Sequence, residues 1–110
     1  MSNGVEELGG LMAGVTAGLL GPQDRVARNL VKGLVVSTVN TSDMGYETAI
    51  LDTEHAHPVE RYDTREDAVR GHAHWKRRAR TLTKVTRLGY GSLVEPEEFE
   101  LVRGLTEEDK

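Results

Sequence analysis

Between Leu34 and Arg80 the hydrophobic residues change period once, and that change limits the folds open to this chain. "LVVSTVN" at 34–40 and "YETAILD" at 46–52 are of strand length, rich in β-branched side chains and bounded by turn residues. The "TSDMG" between them supplies a turn, with Asp43 and Gly45 at the permissive positions, so the two runs pair antiparallel. "TEHAH" turns the chain again. "PVERY" at 58–62 then offers a third, shorter strand, where Pro58 marks a start or a sheet edge.

From Asp63 the spacing becomes helical. "DTREDAVRGHAHWKRRAR" at 63–80 opens with a capping pattern, Asp63 with Glu66 or Thr64 with Asp67. Its acids fill the first turn and its bases the last, as the helix dipole favours. Ala68, Val69, His72, Trp75 and Ala79 form the face expected to be buried. Gly71, a penalty inside a helix, implies close packing against the sheet. "LTKVTRL" at 82–88 alternates and reads as a fourth strand. "GYGS" at 89–92 is a tight loop, and "EEFELVR" at 97–103 adds a last strand or an extended arm. The expectation is an α+β domain over residues 34–103, a small antiparallel sheet in β-β-β-α-β order with one main helix on a face. A mobile acidic tail, 104–110, follows unless a partner holds it.

Residues 1–33 read as a separate N-terminal arm. "LGGLMAGVTAGLLG" at 8–21 carries no charge, yet it is shorter than the ~20 apolar residues a membrane span needs. Glu6 and Glu7 stand where an export signal would be basic. Gly10, Gly14 and Gly18 recur every fourth residue and would give a helix a flat face beside Leu11, Val15 and Leu19. Each glycine costs roughly 0.8–1 kcal/mol against alanine inside a helix, so such a helix needs a neighbour to form. "GPQDRVARNLVKG" at 21–33 reads as a second short helix, with Pro22 in its first turn and Gly33 closing it.

Composition narrows the chemistry. The chain has no cysteine, which removes disulfides, thiolate catalysis and sulfur-ligated zinc together. Aromatic residues are 5% of the chain, so the core must be built of Val, Leu, Ile and Ala. Residues 95–110 hold seven acids against two bases. A basic strip precedes them, formed by Lys76, Arg77, Arg78, Arg80, Lys84 and Arg87. Two surfaces of opposite sign neutralise each other, or one of them meets an acidic partner or nucleic acid.

The four histidines fall into two matched pairs, "EHAHP" and "GHAHW". On an extended strand His55 and His57 would point the same way, the geometry of a chelating pair. On a helix His72 and His74 lie about 200° apart and cannot share one ion. A site would need His55 and His57 with one helical histidine, and Asp52 or Glu54 as a fourth ligand. The simpler expectation is no metal and no cofactor: His72 buried and neutral beside Trp75 with a backbone hydrogen bond, and His55, His57 and His74 exposed. No Gly-x-Ser-x-Gly elbow or phosphate-binding glycine pattern is present, and a non-enzymatic protein is expected.

Residues Val36 to Val39, Tyr46 to Thr48, Arg61 and Tyr62, then Thr64, Glu66, Ala68, Gly71 and His72, resemble a pattern found in small proteins of unassigned function in tailed phages and prophages. There a "VSTV" strand leads to a "YET" or "FET" strand, then "RY" and a helix of the form Thr-x-Glu-x-Ala-x-x-Gly-His. The resemblance covers about 40 residues and brings no activity with it. It implies a phage origin and hence a small accessory or virion protein. The uncharged arm lies outside the resemblance; its need for a neighbour adds the expectation of an oligomeric structural protein, associated with capsid, connector or tail and held in an assembly by that arm. The alternative is a small nucleic-acid-binding or regulatory phage protein using the basic strip.

Overall fold

The computed structural model describes residues 24–42, 44–88 and 97–110. The proposed arm residues Gly10, Leu11, Gly14, Val15, Gly18 and Leu19 lie outside them, as do Asp43 and the 89–92 loop. Four strands form one antiparallel sheet in sequential order: β1 (Arg25–Val31), β2 (Leu34–Asn40), β3 (Tyr46–Leu51) and β4 (Ala56–Tyr62). Helix α1 (Arg65–Ala79) packs across one face. A short hairpin, β5 (Lys84–Arg87) with β6 (Glu97–Glu100), forms a separate two-stranded sheet. The α+β class and the antiparallel sheet under one helix therefore hold.

Two assignments change. The segment expected as a helix at 21–33 is a strand from Arg25 onward, paired in register from Ala27↔Thr38 to Val31↔Leu34. The reason lies in Lys32 and Gly33, whose φ values are 48° and 84°. Two consecutive positive-φ residues make a type I′ connection, the tightest link between antiparallel strands. A glycine after an apolar run serves equally as a helix stop or a hairpin corner. Here Leu30 and Val31 find partners in β2, with Val26 at an irregularity between Arg25 and Ala27, and the hairpin wins. The sheet therefore includes β1, ahead of Leu34. Second, "LTKVTRL" is not the fourth strand of the main sheet. β1 takes that place at one edge, and β5 pairs with β6. Pro58 lies in β4, the other edge, where its missing N–H breaks no ladder.

The core is aliphatic, as the composition demanded: Leu34, Val36, Ile50, Val59, Ala79 and Val85, closed by Trp75. Thr64 caps α1 by accepting the Asp67 N–H at 3.1 Å. Ala68, His72, Trp75 and Ala79 are buried, but Val69 is 52% exposed. Those four positions, spaced 4-3-4, already define the stripe that faces the sheet, and Val69 is turned about 100° from Ala68. Gly71 does meet the sheet closely: a Cβ there would coincide with the end of the Tyr62 ring.

The C-terminal tail is held by its own chain. The Gly104 and Leu105 N–H groups donate to the Gly33 carbonyl at 3.1 and 3.0 Å. The Arg103 guanidinium donates to the carbonyls of Ala79 and Leu82, at 2.7 and 2.6 Å, and to that of Lys32 at 2.9 Å. One side chain thus ties the end of α1 to the β1–β2 corner. A 3-10 turn at Glu107–Asp109 follows, where the Asp109 carbonyl accepts from Arg28 at 3.4 Å. Among the described residues no helix is long and apolar enough to cross a membrane.

Candidate functional site

Polar side chains collect in three places: beneath α1, beside the β3–β4 turn, and between α1 and the β1–β2 corner. Beneath the helix they form one continuous chain of hydrogen bonds. His72 Nε2 lies 2.8 Å from the Asn29 side-chain amide, and its Nδ1 lies 2.7 Å from Thr38 Oγ1. Thr38 Oγ1 is 2.5 Å from Thr48 Oγ1, which is 3.0 Å from Tyr62 Oη. Tyr62 Oη is 3.1 Å from Glu60 Oε1, which also accepts the Trp75 indole N–H at 2.8 Å. The chain crosses all four strands and returns to the helix.

Each hydroxyl has one proton, so the chain can be polarised in either of two directions. The Glu60 side chain, which accepts from both Trp75 and Tyr62, favours one of them, because a hydrogen bond to a carboxylate is stronger than one between neutral groups. Tyr62 then donates to Glu60, Thr48 to Tyr62, Thr38 to Thr48 and His72 Nδ1–H to Thr38. The Asn29 amide turns its NH2 toward Nε2, a half-turn that leaves heavy-atom distances unchanged. Burial, with Lys76 nearby, pulls the His72 pKa down to about 4. Burial, with Glu60 adding to it, pushes the Tyr62 pKa up to about 12. His72 is therefore neutral and buried, as the sequence suggested. Its partners are side chains of β1 and β2 rather than backbone.

The second place departs from expectation. His57 is 1% exposed, not on the surface, because Ile50 lies opposite it in β3 and the β5–β6 hairpin covers it. Its ring lies 5.1 Å from the Phe99 ring, and its Nδ1 faces Arg87 Nη2 at 3.1 Å. Its Nε2 is buried without a hydrogen-bond partner, 3.6 Å from Asp52 Oδ2. His55 is exposed, and one ligand atom from each of Asp52, His55 and His57 lies within 4.8 Å of the other two. The third member of this group is Asp52, not a histidine of α1. Asp52 also shapes the turn: Oδ1 accepts from the Glu54 and His55 N–H groups, both at 2.8 Å, and Oδ2 from Val102 at 3.0 Å. Burial opposes its ionisation, but those three donors outweigh burial and hold the pKa below the ordinary value. Burial, aided by Arg87 and opposed by Asp52, pulls the His57 pKa down.

The side chains of the basic strip lie in different settings. Arg78 lies over the Trp75 ring at 4.7 Å, and Arg87 over the Phe99 ring at 4.1 Å. Lys84 pairs with Glu98 at 3.4 Å, a contact of strip with acidic segment in the sense that charge balance suggested. Lys76, Arg77 and Arg80 remain, and Lys32 from the β1–β2 corner joins them. Together they rim a groove of about 460 Å³ floored by Leu30, Val31 and Ala73. Lys32 was not foreseen, because the corner that presents it was read as the end of a helix. His74 is exposed, as expected, and meets Trp75 edge-on at 5.5 Å.

No family model matches this chain, and neither the curated proteins nor the solved structures contain a significant match.

Proposed function

We propose that this protein is a non-enzymatic structural or accessory component of a tailed-phage particle, assembled through its N-terminal segment. One observation carries the reading: the residues of the phage-like pattern are scaffold. Thr38, Thr48, Tyr62 and His72 bond to one another beneath α1, Thr64 caps that helix and Gly71 admits the Tyr62 ring. Their reactive atoms are engaged with each other, which leaves binding to the surface and to the uncharged arm.

The arm residues Leu11, Val15 and Leu19 are the contacts to disturb. In the full chain, the double substitution Leu11→Asp and Leu19→Asp should convert a defined oligomer into a monomer, read by light scattering, with an unchanged circular dichroism spectrum. An unchanged mass would refute the arm's role. Truncation should stop at residue 23, since removing residues up to 33 would strip the edge strand β1 from the sheet.

The groove supports a second reading, an anionic partner such as nucleic acid. Lys32, Lys76, Arg77 and Arg80 bring four cations to one apolar-floored groove. Phosphate contact there should weaken steeply with salt. The triple substitution Lys76→Glu, Arg77→Glu and Arg80→Glu should abolish retention of a DNA or RNA oligonucleotide at low salt. Parent protein that shows no retention removes this reading.

A further inference from the structure

We propose that Asp52, His55 and His57 form a binding site for a divalent transition-metal ion of the zinc type, one that is opened by release of Arg87. Three observations converge on it. First, one ligand atom from each residue already lies within 4.8 Å of the others. Second, His57 Nε2 and Asp52 Oδ2 are 3.6 Å apart. Bonds of about 2.0–2.1 Å in a tetrahedral site place ligand atoms about 3.3 Å apart, so an ion fits between them with a few tenths of an ångström of closure. Third, the buried His57 Nε2 makes no hydrogen bond of ordinary length: its polar neighbour is Asp52 Oδ2 at 3.6 Å, a gap that an ion bridges better than a proton does.

The ligand set suits a borderline cation. Two imidazoles and a carboxylate match zinc-type ions better than calcium or magnesium, which prefer oxygen alone. Asp52 Oδ2 accepts one hydrogen bond, from Val102, and keeps a second lone pair for an ion. The same three backbone donors that shape the turn hold this carboxylate in place, the usual supporting role around a metal ligand. His55 is exposed, with its ring 5.8 Å from that of His57 and 6.4 Å from that of Phe99, so a small rotation of its side chain would bring it over the ion and leave the remaining coordination position to water.

Arg87 sets the condition for occupancy. Its guanidinium donates to His57 Nδ1, so the neutral ring keeps its proton on Nε2. An ion on Nε2 needs the other tautomer, with the proton on Nδ1. That N–H would then face the Arg87 donor, and a positive charge would stand close to the ion. Binding therefore moves the ring proton from Nε2 to Nδ1, through solvent, and displaces the guanidinium. Glutamine at position 87 would offer a carbonyl oxygen to the new Nδ1–H instead, the kind of support that raises a ligand's basicity.

The test is a titration of the full chain with Zn²⁺ at neutral pH, followed by calorimetry and by the imidazole ¹⁵N resonances. One ion per chain should bind, shifting the resonances of His55 and His57 while His72 and His74 stay in place. Arg87→Gln should tighten binding by about tenfold, the scale expected for removing a nearby cation. His55→Ala, a change at an exposed side chain, should preserve the fold and weaken binding at least about tenfold. Uptake without saturation, shifts confined to His72 or His74, or undiminished affinity in His55→Ala would each overturn the site. An Arg87→Gln protein that binds no more tightly would overturn the coupling to Arg87.

Discussion

Replacing Gly71 by alanine should destabilise this protein by about 2–3 kcal/mol, although alanine is the better helix former by roughly 1 kcal/mol. The sign follows from the ring above it. A Cβ at position 71 would overlap Oη, Cε1 and Cζ of Tyr62. The ring cannot simply swing aside, because its hydroxyl is bonded within the buried chain between Thr48 and Glu60. Moving it breaks those bonds, at about 1 kcal/mol each, or lifts α1 from the sheet. The loss should appear as a fall in melting temperature of about 10 °C or more for a domain of this size. A double-mutant cycle isolates the cause. In a Tyr62→Leu background, which removes the overlapping atoms, Gly71→Ala should become neutral or stabilising. If it costs the same in both backgrounds, the close approach is not what fixes glycine there.

The pairing of Gly71 with Tyr62 shows how far the sequence could be read. A glycine in the middle of an otherwise good helix announced a close neighbour, but nothing in the spacing named Tyr62. Local signals served wherever one element decided its own form. The β-branched runs of β2 and β3, the Thr64 cap and the 68/72/75/79 stripe all appear as read, with Val69 the one side chain placed on the wrong face. Signals failed where two structures make the same local demand. Gly33 satisfies either a helix end or a hairpin corner, and only the pairing with β2 decided between them. That one reversal also hid Asn29 as a partner of His72 and Lys32 as part of the basic groove. His57 was hidden for a different reason. A histidine in a turn segment just ahead of a proline reads as exposed, but it lies in β4, and its cover arrives from β5 and β6, about 30 or more residues later. The cluster with Asp52 is likewise a product of the turn geometry, with the carboxylate reaching across to Val102 near the far end of the chain. The sequence offered His55 and His57 as a pair and Asp52 or Glu54 as a further ligand; what it did not show is that Asp52 joins the pair without a histidine of α1.

The buried position of His72 should make stability fall on mild acidification. Its pKa is pulled from the ordinary value of 6.5 down to about 4 in the folded chain. Above pH 6.5 the ring is neutral in both folded and unfolded states, and its contribution does not vary with pH. Below 6.5 the unfolded state takes up a proton that the folded state refuses, so stability falls until the folded pKa is also passed. The loss should be about 2 kcal/mol between pH 7 and pH 5, approaching about 3 kcal/mol near pH 4. His57, whose pKa is also lowered, acts in the same direction. Glu47 acts in the opposite sense: burial holds its pKa above the ordinary value against the pull of Arg61, so protonation near its own pKa favours the folded state. Urea unfolding at pH 7, 6 and 5 measures the slope, and a His72→Gln variant separates the contributions. That variant should be less stable at pH 7, because the hydrogen-bond chain loses its link between Thr38 and Asn29. Its stability should nevertheless vary little from pH 7 to pH 5, apart from the share due to His57. A slope as steep as that of the parent would mean that the proton taken up on unfolding belongs to a different group.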